Sequence, residues 1–232
     1  MESISSRPFL ATRASDHELE QLEPEVALDN DVILKSAQYG LTSRFWPKRV
    51  GVLGAAPYVL RKAVERGADT TSKESVLERL GEFFNVAAVL EPSEEELRFA
   101  AEVELLAQRL GLSLDSGESQ LASIVIERRM GGLESGDKRA IRSFEDLLDH
   151  VERLDTLCGK VRCLEQIVLR TLARIEFREV SAAICAEPEV DKSLSICFGC
   201  YSKPPAECDT AIEGLTSYVD DARTEAPRIL AT

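Results

Sequence analysis

The chain has 232 residues, 44% of them apolar, which is enough for a folded core and argues against global disorder. Its formal charge of −13 argues against a protein that grips nucleic acid through a broad excess of Lys and Arg. No apolar run approaches the roughly 20 residues of a membrane helix, and the opening residues lack the basic, apolar and small-residue order of a secretory signal. A cytoplasmic protein with no membrane partner is expected.

In chain order, residues 1–24 are polar and without pattern, and read as a flexible tail. Residues 26–34 carry β-branched and apolar side chains and predict a buried strand, with a short helix leaving it at Lys35. A second short strand is expected at residues 50–54, followed by helices over 58–65 and 72–84. Ser93 with Glu96 has capping-box spacing and opens a long helix that stops at Gly111. A helix through Ile126, a break at 130–137 with room for a very short strand, and a helix from Lys138 to His150 come next. The segment 162–175 is a strongly apolar helix, and 206–222 is the last one.

Few strands among many helices predict a small parallel sheet flanked by helices, an α/β fold. Ligands of such sheets sit beyond the carboxyl ends of the strands. All six cysteines lie in the C-terminal third. Without a second Cys pair or a nearby histidine they read as free, buried thiols rather than a zinc site.

Three acidic points stand out. Asp29 and Asp31 close the predicted first strand, where alternation puts them on one face. A carboxylate there needs a partner, a metal or solvent, although capping the next helix is also open to either residue. Asp115 and Glu118 have the spacing of a capping box, and Asp137 follows Gly136 where a helix begins. Lys138, Arg139 and Arg142 are the basic side chains nearest an acidic point; they suit a phosphate or a solvated helix face.

The ordered trio resembles the PIN-domain family. The carrying stretches are Leu28-Asp29-Asn30-Asp31-Val32-Ile33-Leu34, Leu114-Asp115-Ser116-Gly117-Glu118 and Ser135-Gly136-Asp137-Lys138-Arg139-Ala140. The resemblance covers about residues 25–150 and leaves 151–232 as a helical C-terminal extension packed on that domain. It implies a metal-dependent ribonuclease, with RNA as substrate, in a family that includes toxins of toxin–antitoxin pairs. By position, Asp29, Glu118 and Asp137 match the family's catalytic metal-site acids. Asp31 and Asp115 are auxiliary acids, Mg²⁺ or Mn²⁺ is the expected cofactor, and Lys138, Arg139 and Arg142 are candidates for phosphate contact. An antitoxin or other protein partner and a homodimer are also implied. The family's further acid after the first strand has no counterpart in residues 52–60, which leaves Glu65, Glu74, Glu78 or Glu82 as substitutes. That gap motivates one alternative, a catalytically inactive PIN-like interaction module. A second alternative is a phosphatase of the haloacid dehalogenase class, with Asp29 as nucleophile and Asp31 as acid and base.

Overall fold

The computed structural model describes residues 24–46, 50–67 and 73–232. The expected tail, residues 1–24, lies almost wholly outside the described residues. Five short strands form one parallel sheet: β1 (Val26–Leu28), β2 (Gly51–Leu53), β3 (Ala88–Leu90), β4 (Gly132–Glu134) and β5 (Val161–Arg162), in the spatial order β3-β2-β1-β4-β5. The helices are α1 (Asn30–Tyr39), α2 (Thr42–Phe45), α3 (Ala56–Arg66), α4 (Lys73–Val86), α5 (Glu94–Leu110), α6 (Ser116–Glu127) and α7 (Lys138–Leu147). After β5 come α8 (Leu164–Leu172), α9 (Phe177–Ala186), α10 (Lys192–Cys197) and α11 (Cys208–Glu225). None is long and apolar enough to cross a membrane.

Helices cover both faces of the sheet, so consecutive residues of β1 and β2 are apolar and feed two cores, while β4 and β5 end in the charged Glu134 and Arg162. Leu28 and Val52 pack with Val32, Ile33, Phe45 and Leu80 on one face. On the other, Ala27, Leu90, Leu133 and Val161 pack with Phe99, Leu121, Ile124 and Phe144. Helix α11 serves both, with Ala211 and Leu215 in the first core and Val219 and Ala222 in the second.

The first strand is shorter than its composition predicts. Asp29 keeps extended backbone but accepts a hydrogen bond from the Asn30 amide, and the chain turns at once into α1. Val32 and Ile33, which look like strand residues, are the buried face of that helix. Asp29 and Asp31 therefore do not share a strand face. The box at Ser93 and Glu96 forms with both reciprocal bonds, as its spacing predicts. Strands β3 and β5 are absent from the sequence reading; two or three residues give periodicity nothing to act on. One expectation about cysteine is corrected: Cys185 and Cys200 form a disulfide, because α9 and the turn after α10 bring their Cα atoms to 4.9 Å. Cys163 and Cys197 are buried thiols, while Cys158 is exposed.

The sheet does not end near residue 150. Strand β5 pairs with β4, and Val161 also bridges to Leu230 near the chain end. The buried Glu145 carboxylate of α7 accepts from the Arg228 and Ile229 amides and from the Arg228 guanidinium. A fragment of residues 24–150 would thus lose an edge strand and apolar partners on both faces. We predict that it shows no cooperative urea transition by circular dichroism, whereas the whole chain does. A sharp transition in the fragment would mean that the segments fold independently.

Candidate active site

Strand order reverses at β1: the chain moves from β1 to β2 on one side and places β4 on the other. In an open parallel sheet this reversal leaves a crevice beyond the carboxyl ends of the two neighbouring strands. Asp29 follows β1 directly and Asp137 follows β4 after two residues, so the fold puts them on either side of that crevice. Helix α6 brings a third acidic start to the same place. The cleft, about 490 Å³, is lined by Asp29, Asp31, Asp115, Glu118 and Asp137, with Lys35 and Arg139 as its cations.

Three of the carboxylates cap helices. Asp29 caps α1, Asp115 caps α6 and Asp137 caps α7. Each takes the non-helical backbone of a cap and satisfies a free amide at the helix start. Asp115 and Glu118 make a full capping box: Asp115 Oδ1 accepts from the Glu118 amide and Glu118 Oε2 accepts from the Asp115 amide, both at 2.9 Å. Ser135, buried at the end of β4, links two of the caps. Its hydroxyl donates to Asp29 Oδ2 at 3.3 Å and accepts from the Asp137 amide at 3.2 Å.

The electrostatics are uneven. Burial pushes the Asp29 carboxyl up to about 6, and the nearby Asp31 and Asp115 charges add to the effect against the opposing Asn30 hydrogen bond. Burial likewise raises Glu118 to about 8, helped by Asp115, Asp29 and Asp137 and opposed by the Asp115 amide. Asp137 goes the other way. Hydrogen bonds from the Arg139 guanidinium hold it below the usual carboxylate range, with Nη2 to Oδ2 at 2.7 Å and Nε to Oδ1 at 3.1 Å. Asp31 is engaged by Lys35, whose Nζ lies 2.7 Å from Asp31 Oδ2 and 2.9 Å from Asp191 Oδ2. Burial works against the lysine's charge, but the two carboxylates outweigh it and raise its pKa.

The sequence candidates thus divide. Asp29, Asp31, Asp115, Glu118, Asp137 and Arg139 share the cleft. Lys138 does not line it; its ammonium lies 2.5 Å from buried Glu165, over the Tyr218 ring, in an adjoining depression of about 300 Å³. Arg142 pairs with Glu225 of α11. None of Glu65, Glu74, Glu78 and Glu82 lines the cleft. Sequence reasoning missed Lys35, Asp191 and Ser135. The Asp31–Lys35 pair is a helical i,i+4 spacing, visible once α1 is known to begin at Asn30. The Asp191 contact depends on tertiary packing and leaves no local signal.

Among the described residues, no three Asp, Glu, His or Cys side chains converge as a ready-made ion cage. The chemistry of the donor set nevertheless fits a hard divalent cation, which takes carboxylate oxygens. Two buried acids that repel each other are also the groups whose charged forms such a cation favours most.

The sequence matches no known protein family, and no curated protein is similar to it. Among solved structures, the fold is similar to a chain in the crystal structure of VapBC2 from Rickettsia felis bound to a DNA fragment from their promoter. The likeness has a TM-score of 0.37 and 13% identity, and it covers 48% of this chain and 87% of that one.

Raised carboxylate pKa values set the sign of a pH effect. The cost of ionising Asp29 and Glu118 in the fold is absent below their unfolded values near 4. It accumulates as pH rises through about 6 and about 8. In EDTA, folding stability is therefore predicted to fall between pH 5 and pH 8.5, by roughly 2–4 kcal/mol after allowance for screening. Glu118→Gln, which keeps an acceptor for the Asp115 amide, flattens most of that slope in urea titrations. An unchanged slope in the variant would remove Glu118 as its source.

Proposed function

We propose that this chain is a metal-dependent ribonuclease of PIN type, hydrolysing RNA phosphodiesters in the acidic cleft. The observation that carries the reading is the meeting of Asp29, Asp115, Glu118 and Asp137, from three separate helix starts, in one cleft at the sheet's reversal point. Capping accounts for each acid singly, but not for three helix starts converging on one cleft in which five carboxylates meet only two cations. Burial of acids without compensation opposes folding.

In this reading Asp29 and Glu118 hold Mg²⁺ or Mn²⁺, with Asp115 and Asp137 beside them. A bound divalent ion supplies an acidified water and offsets charge on the phosphoryl oxygens. The helix starts and Ser135 fix the direction of Asp29 and Asp137, so the acids need little reorganisation when a phosphate enters. Arg139 is a basic group on the cleft wall that can meet that phosphate, because its present partner, Asp137, lies in the same cleft. Lys138 and Arg142, turned to Glu165 and Glu225, have no such role in the present arrangement.

The second reading is a PIN-like module that binds without cleaving. It is favoured by the Val52–Leu60 region, which brings Val59 but no acid to the cleft. The phosphatase reading is disfavoured on chemistry. It needs Asp31 free to exchange a proton beside Asp29, and Asp31 is held in the first turn of α1 by Lys35.

Purified protein incubated with a mixed single-stranded RNA pool is predicted to cut it in Mn²⁺ or Mg²⁺ and not in EDTA. Asp29→Asn keeps the shape of the cap and is expected to lower the rate by roughly 10–100-fold, the usual scale for disturbing the residues around a metal site. Well-folded wild-type protein that cuts nothing in either metal would shift the assignment to the binding module.

A further inference from the structure

Lys35 is an odd residue to find in a cleft built to gather negative charge. Its side chain is only 17% exposed, and it is fixed at both ends of a bridge. Asp31, one helical turn back, takes its ammonium from one side. Asp191, the cap of α10, takes it from the other. Asp191 is itself immobilised: its Oδ1 accepts from the Leu194 amide at 3.0 Å and from the Ser193 hydroxyl at 2.6 Å, leaving Oδ2 for the lysine. Ser193 Oγ also lies 3.0 Å from Glu165 Oε1, the oxygen that receives Lys138, so its single proton is shared between the two carboxylates with Asp191 the nearer. The ammonium is thus set by the C-terminal helices, not by α1 alone.

The space around Asp31 is equally constrained. A methyl group at Gly136 would come to 2.0 Å from Asp31 Oδ2, the oxygen already bonded to Lys35. Hard divalent ions require six or more oxygens and keep several waters. The Gly136 backbone and the lysine crowd that oxygen from two sides, which disfavours such a shell on it. An ammonium has three donors, and two of those of Lys35 are committed to Asp31 and Asp191. The third remains for an oxygen in the cleft that Lys35 lines.

We propose that Lys35, positioned by Asp191, is a built-in cation of the acidic cleft and stands in place of a second metal ion, so that the cleft takes one divalent ion per chain. The inference rests on the metal-dependent reading above. It makes Asp31 Oδ2 a partner of the lysine and not a metal-binding oxygen. It also gives the helices beyond β5 a part in the site, because Asp191 and Ser193 belong to them. With a phosphate in the cleft that Lys35 lines, the lysine would neutralise a phosphate oxygen as a compact fixed charge.

Titration calorimetry of the whole chain with MnCl₂ near neutral pH tests this without reference to activity. The expected result is one Mn²⁺ per wild-type chain, with binding lost in Asp29→Asn. The double variant Lys35→Met/Asp191→Asn frees the Asp31 carboxylate while leaving no new charge at Asp191. It should bind a second ion, or the single ion about tenfold more tightly, as the gain of a neighbouring carboxylate implies. Circular dichroism checks its fold, and Lys35→Arg, which keeps the charge, should retain one ion. Two ions on the wild-type chain would overturn the proposal whether or not the double variant folds. So would a folded double variant with unchanged or weaker binding, while the metal reading itself survived. No Mn²⁺ on any of these proteins would end the metal reading and the role of Lys35 with it.

Discussion

Carboxylates that repel one another, held together at the carboxyl edge of a parallel sheet, are the constraint on which the rest of this structure turns. Asp29, Asp115 and Asp137 sit at helix N-termini, where unsatisfied amides and the helix dipole favour negative charge. Each such placement is worth on the order of 0.3–1 kcal/mol at an exposed helix end, which is less than burial and mutual repulsion cost Glu118. The fold offsets part of the remainder with two cations, Lys35 and Arg139. What is left is a cleft lined by five carboxylates and two cations, more negative charge than its own residues neutralise.

The same constraint explains the arrangement of the second half of the chain. The acids need rigid supports, and Ser135 at the end of β4 provides one only while β4 is paired on both sides. Strand β5 completes that pairing, and the chain end closes on it through Leu230 and the Arg228–Glu145 contacts. Glu134, fully buried beside Ser135, is matched by the Trp46 indole N–H and by Arg170 of α8. Helices α8 and α10 are therefore part of the scaffold of the cleft, although they lie outside the stretch that resembles a PIN domain.

Much of this was legible in the sequence because helix starts have local chemistry. Asp115 with Glu118, and Asp137 after Gly136, announce caps by residue type and spacing, and the structure forms both. The short strand between them, Gly132–Glu134, was legible as a break more than as a strand. At Asp29 the local pattern misled: Val32 and Ile33 are β-branched and favour a strand, but the cap and the tertiary burial of their helical face override that preference. This one misreading hid Lys35, whose i,i+4 relation to Asp31 exists only in a helix. The Lys35–Asp191, Lys138–Glu165 and Arg142–Glu225 pairs join residues that no spacing rule connects. They decide which of the basic side chains face the cleft, and so that part of the site was not readable from the chain alone.

Burial and neighbouring charge raise the Asp29 and Glu118 carboxyls, and on the proposed function a bound divalent ion would restore their charged forms. Carbon-13 NMR of the side-chain carboxyls, titrated with and without Mg²⁺, observes these groups directly. In EDTA Glu118 is expected to titrate at about 8 and Asp29 at about 6, with both falling to or below the ordinary carboxylate range when Mg²⁺ is present. Ordinary values for both in EDTA, or raised values that Mg²⁺ leaves in place, would contradict this reading.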